Sequence, residues 1–109
     1  MTSAPTTIVE TQAFRAAAKA CMSEAEIADA ITMIAAAPKC GAVMKETGGV
    51  RKARFAIAGR GKSGGVRIIY YFHSATKPIY LLTVFAKNEK DNLSKAERNA
   101  LRKIVEKLA

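Results

Sequence analysis

At 109 residues, half of them apolar, the chain is long enough to close one hydrophobic core without disulfides, and its composition excludes an intrinsically disordered protein. The net charge of +9 is unevenly placed: residues 1–50 hold four basic and five acidic side chains, residues 51–109 fourteen and four. Such asymmetry favours a polyanionic partner, and no apolar run nears the roughly 20 residues of a membrane span.

In chain order, Thr7 to Glu10 reads as a short first strand. Phe14, Ala17, Ala18 and Cys21 then recur at the spacing of one helix face. Ser23 and Glu26 form a capping box that starts a second helix with Ile27, Ile31 and Ile34 as its stripe, and Pro38 with Gly41 ends it. A small extra strand is expected at Ala42–Lys45. After the Gly48-Gly49 turn, Val50 to Ala58 alternates, with Ala53, Phe55 and Ile57 on one face and Lys52, Arg54 and Ala56 on the other. A glycine-rich loop, Gly59 to Gly65, carries Arg60 and Lys62. Val66 to Phe72 follows, and its continuously apolar second half marks a central strand covered on both sides. His73 to Pro78 turns the chain into a last strand, Ile79 to Ala86. A second capping box, Ser94 and Glu97, opens a C-terminal helix with Leu101, Ile104, Val105 and Leu108 as its apolar stripe. The order β-α-α-β-β-β-α predicts a single α+β domain over residues 1–109, a small antiparallel sheet with two N-terminal helices packed on it and a C-terminal helix.

Cys21 and Cys40 have no histidine or further cysteine at ligand spacing, so both are expected as buried reduced thiols in a cytoplasmic protein. No metal and no small-molecule cofactor is implied. The N-terminus shows no apolar leader core, and Glu10 argues against a transit peptide. Gly61-Lys62-Ser63 resembles the end of a phosphate-binding loop, but the glycine that motif needs five residues earlier is Ala56, and a strand follows instead of a helix. His73 is the only histidine, which rules out a two-histidine ribonuclease mechanism within one chain.

The chemistry lies between Thr47 and Asn88, a stretch with eight Lys or Arg and no Asp or Glu. If the hairpin registers Lys52 and Arg54 beside Arg67, three cations converge on one face. The turn at 73–78 returns Lys87 beside Gly64–Arg67, Arg60 and Lys62 overhang the same end, and Tyr71 shares the face of Arg67. Like charges packed this closely oppose folding until an anion arrives. Arg67, inside an otherwise apolar strand, is the residue hardest to explain as solvated surface.

At these residues the chain resembles the RelE/HigB toxins of bacterial type II toxin–antitoxin systems. The motifs are GGVRKARFA, GRGKSGGVRIIYYF and PIYLLTVFAKNEKDNLS together with the helix order, and the likeness is nearest the HigB-type branch. The resemblance implies a ribosome-dependent endoribonuclease that cuts mRNA and is held inactive by a cognate antitoxin. By position it matches Lys52, Arg54, Arg67 and Lys87 to the family's basic residues and so to catalysis; Tyr71, on the face of Arg67, is expected to stack a base or donate a proton, and Arg51, Arg60, Lys62 and Lys90 are expected to bind RNA. Two departures stand out: Asn88 where RelE toxins place an arginine, and no tyrosine near Leu93 or Ser94. Two alternatives remain beside this reading: a non-enzymatic, gyrase-binding toxin of the ParE kind and a plain RNA-binding module.

Overall fold

The computed structural model describes residues 7–57, 65–87 and 92–108. The elements are β1 (Ile8–Glu10), α1 (Gln12–Cys21), α2 (Glu24–Ala36), β2 (Ala42–Val43), β3 (Val50–Phe55), β4 (Val66–Phe72), β5 (Ile79–Ala86) and α3 (Lys95–Leu108). They build an α+β fold on one five-stranded sheet in the order β1-β5-β4-β3-β2. The neighbours from β2 to β5 are antiparallel, as the hairpin pattern implied. β1 corrects the wholly antiparallel expectation: it lies parallel to β5, Val9 opposite Tyr80, so the sheet is mixed.

Both expected capping boxes form. Ser23 Oγ accepts the Glu26 N–H at 3.1 Å while a Glu26 carboxylate oxygen accepts the Ser23 N–H at 2.7 Å. Ser94 and Glu97 repeat the exchange at 3.1 and 2.8 Å. These bonds satisfy N–H groups that a helix start otherwise leaves bare. α1 is started by Thr11, whose hydroxyl accepts the Phe14 N–H at 3.2 Å and donates to the Leu81 carbonyl at 2.7 Å, tying the helix start to β5.

The sheet separates two apolar clusters. On one face Phe14, Ala18, Ile27, Ala30 and Ile34 of α1 and α2 pack on Val66, Ile68, Tyr70, Ile79 and Leu81. On the other, Leu101 and Val105 of α3 pack with Val50, Ile69, Tyr71, Leu82 and Phe85. β4 lies at the centre and is buried at every position from Val66 to Tyr71, which is why its sequence does not alternate in polarity. β5 serves both faces through an irregularity: Tyr70 pairs with Leu81 but Ile69 pairs with Thr83, leaving Leu82 as an extra residue. That residue switches the parity, so Ile79 and Leu81 before it and Val84 and Ala86 after it all reach the same cluster. β3 stops at Phe55, opposite Val66, three residues short of the expected end at Ala58; Ala58 itself lies outside the described residues.

β2 and β3 are joined by a tight turn in which the buried Thr47 hydroxyl donates to the Met44 carbonyl and accepts the Val50 N–H, at 2.8 and 3.0 Å. Gly49, at φ 114°, occupies backbone space that side chains rarely adopt and lies against the Tyr71 ring. No helix among the described residues is long and apolar enough to cross a membrane.

Candidate functional site

The β3–β4 register decides which basic side chains meet. Arg54 stands directly opposite Arg67, and Lys52 opposite Ile69. By strand alternation these three share the face of Val50, Ile69 and Tyr71, the face that α3 partly covers. α3 crosses near the Val50–Tyr71 end, where Val105 and Arg102 lie against Gly48. The cations occupy the other end of the strands. Lys87 joins them there: its N–H donates to the Gly65 carbonyl at 3.1 Å, two residues beyond Phe85, which itself stands opposite Arg67.

Among the described residues, this end of the sheet is electrostatically unfavourable. Arg54 is exposed, but Arg67 is only 9% exposed, and its cross-strand neighbours are Arg54 and Phe85. Its guanidinium reaches the carbonyl of its own neighbour Val66 at a long 3.5 Å. Like charges directly opposite on a sheet destabilise it, and a nearly buried charge needs a partner to offset its lost hydration. Beside these residues opens a cleft of about 480 Å³, lined by Lys52, Arg54 and Arg67 and, reaching round to the α1–α2 side, by Met33, Cys40, Ala42 and Ala53. It lies where β2 ends, since β2 pairs β3 only at Arg51 and Lys52. An anionic group with several oxygen acceptors is the ligand chemistry that such a cleft would take.

The other expected site residues are placed differently. Tyr71 shares the face but stands four residues from Arg67, roughly 13 Å at strand rise. It is 5% exposed within the α3-side cluster, and its hydroxyl meets His73 Nδ1 at 3.3 Å. It therefore does not join the cations, and base stacking is closed to it. Arg51 belongs to the opposite face, the Ala53 side, where its guanidinium donates to the Gly41 carbonyl at 2.7 Å and, more distantly, to the Lys39 carbonyl at 3.4 Å. Arg60, Lys62 and Lys90 fall outside the described residues. His73 is exposed in the turn after β4, away from Arg67.

Two residues near the cleft differ from or add to the sequence reading. Cys21 is buried as expected, but Cys40 is exposed, because it follows the end of α2 in a turn closed by its N–H donating to the Ala37 carbonyl at 2.9 Å. Tyr70 is fully buried, donates to the Pro38 carbonyl at 2.7 Å and accepts the Gly41 N–H at 2.9 Å. Burial, above all, pushes its phenol up to about 12. A tyrosine inside an apolar central strand signals a hydroxyl that must find a partner, but the partners, some thirty residues earlier, leave no local trace.

A family model described as the RelE toxin of the RelE / RelB toxin-antitoxin system matches residues 6–109.

Proposed function

The chain belongs to the RelE family of toxins, whose action is countered by a cognate antitoxin, and from that premise we propose that it is a ribosome-dependent mRNA endoribonuclease acting in the cytoplasm. The observation that carries this reading is the pairing of Arg54 with the nearly buried Arg67 beside Lys52, in a cleft open to solvent. In the proposed reaction the 2′-hydroxyl of one nucleotide attacks the adjacent phosphorus. The bond to the 5′-oxygen of the next nucleotide breaks, leaving a 2′,3′-cyclic phosphate and a 5′-hydroxyl. Arg54 and Arg67 donate to the non-bridging oxygens, whose negative charge grows in the transition state, and preorganised donors of this kind contribute several kcal/mol. Lys52 and Lys87 would add positive charge, and one of Lys52, Lys62 and Lys87 would take the 2′-hydroxyl proton while the departing 5′-oxygen gains a proton from a second lysine or from water. Arg60, Lys62 and Lys90, which lie outside the described residues, are proposed from the sequence to bind the message.

Because arginine does not release its proton near neutral pH, and lysine is a weak base there, the site has little proton-abstracting power of its own. Most of the rate would then come from presenting the 2′-hydroxyl in line with its phosphate, which orientation can supply at about 7–11 kcal/mol. A codon held on the ribosome is presented in that way, whereas free message is not. Primer extension on cellular mRNA after induction tests the reading. Discrete new 5′ ends should appear within translated regions for the wild type and vanish for Arg67→Ala, while intact messages in arrested cells would refute it.

A further inference from the structure

Arg51 and Tyr70 face each other across β3 and β4, on the side of the sheet away from Lys52, Arg54 and Arg67. Both reach past the sheet edge to the same short segment. Tyr70 bonds the Pro38 carbonyl and the Gly41 N–H, and Arg51 bonds the Gly41 carbonyl. The Pro38 carbonyl and both polar groups of Gly41 are thus held by side chains, ahead of the point where Ala42 starts the ladder with Lys52. The segment is also pressed home: a Cβ on Gly41 would lie 2.9 Å from both the Tyr70 ring and the Lys52 carbonyl. Its next-door residues Cys40 and Ala42 line the cationic cleft. The cleft wall that Cys40 and Ala42 form, next to Met33 and Ala53, is thus located by two residues on the α1–α2 side of the sheet, whereas Lys52, Arg54 and Arg67 enter the cleft from the other side.

We propose that Tyr70 and Arg51 are positioning residues, which clamp the 38–41 segment and so fix the cleft wall against which RNA is seated, without touching the RNA. This rests on the endoribonuclease reading, and it assigns Arg51 a role other than phosphate binding. The two roles separate cleanly. A phosphate-binding arginine contributes to the salt dependence of binding, with a slope of about 0.7 per neutralised phosphate on single strands, whereas a clamp contributes nothing. A misaligned cleft should lose rate at saturation, since a displacement of about 1 Å away from the chemistry can cost roughly a hundredfold.

The experiment uses the full chain with Tyr70→Phe, Arg51→Gln and Arg67→Ala, at a temperature where circular dichroism shows each folded. Three quantities are read: cleavage of ribosome-bound message at saturation, the salt slope of binding to a short single-stranded RNA, and the reaction of Cys40 with an aromatic disulfide reagent. The Cys40 sulfur lies 3.7 Å from the Tyr70 hydroxyl, and Cys21 is buried, so the thiol signal reports the clamped segment. Tyr70→Phe and Arg51→Gln should each cut the saturated rate at least tenfold, leave the salt slope unchanged and speed Cys40 modification several-fold. Arg67→Ala should lower both rate and slope with Cys40 unaffected. A reduced slope for Arg51→Gln, or wild-type thiol reactivity in Tyr70→Phe, would overturn the clamp. A wild-type protein that cleaves nothing would instead strike down the endoribonuclease reading, and the thiol measurement would still decide the clamp.

Discussion

At the scale of residues, the opposed pair Arg54 and Arg67 is where the sequence works against its own stability. Positions that break local rules in this way are expected at functional sites. Replacing Arg67 by Met keeps the apolar stem and removes the repulsion. That variant should melt no lower than the wild type in a thermal scan, yet lose at least a hundredfold in cleavage, the typical effect of removing one preorganised donor. Tyr70 gives a second test. Its phenol is held up to about 12, chiefly by burial, against an ordinary value near 10. The neutral phenol is therefore the form that the fold favours. Its stabilising contribution is complete below pH 10 and is lost as pH rises through about 12. Absorbance at 295 nm should show an ionisation step near pH 12, and Tyr70→Phe should remove it. If no step that high appears, or if Tyr70→Phe leaves it in place, the buried, bonded hydroxyl is wrongly placed.

At the scale of elements, what the sequence disclosed and what it hid follow from locality. The bounds of β4 and β5 match their apolar runs because turn-forming residues flank both. The capping boxes were legible because each is a three-residue relation. Ser94→Ala should cost about 1 kcal/mol, read as a lower unfolding midpoint, because the Glu97 N–H loses its acceptor. The convergence of Lys52 and Arg54 with Arg67 was half legible: alternation put each on a definite face, and only the register could join them. The same alternation places Arg51 with Ala53 on the α1–α2 side, although its charge alone suggests RNA. The parallel docking of β1 on β5, and the reach of Tyr70 to Pro38 and Gly41, were hidden because both join residues far apart in the chain. The Leu82 irregularity lies between these cases. A doublet of leucines in a strand permits a bulge without requiring one. Deleting Leu82 should send Val84 and Ala86 to the α3 side and abolish cooperative unfolding, whereas Leu82→Ala should fold with reduced stability.

At the scale of the molecule, the sheet has one face given to α1 and α2 and another shared between α3 and the cations. The sequence from residue 51 onward carries fourteen basic and four acidic side chains, a balance that an acidic antitoxin segment would complement. A product encoded beside this gene should therefore bind the toxin and raise its unfolding midpoint, more so at higher concentration, as any ligand of the native state must. Calorimetry of the pair against the toxin alone reads this directly, and an unchanged midpoint at saturating partner would exclude that product as the antitoxin. On the endoribonuclease reading the cleft is rich in charge-stabilising groups and poor in bases, so the ribosome has to supply most of the in-line geometry of the RNA that the cleft receives. The most direct measurement is the single-turnover cleavage rate of one message at matched salt, free in solution and bound in a translating ribosome. Cleavage should be faster by several orders of magnitude on the ribosome and should depend on Arg67 there; equal rates in the two states would contradict it.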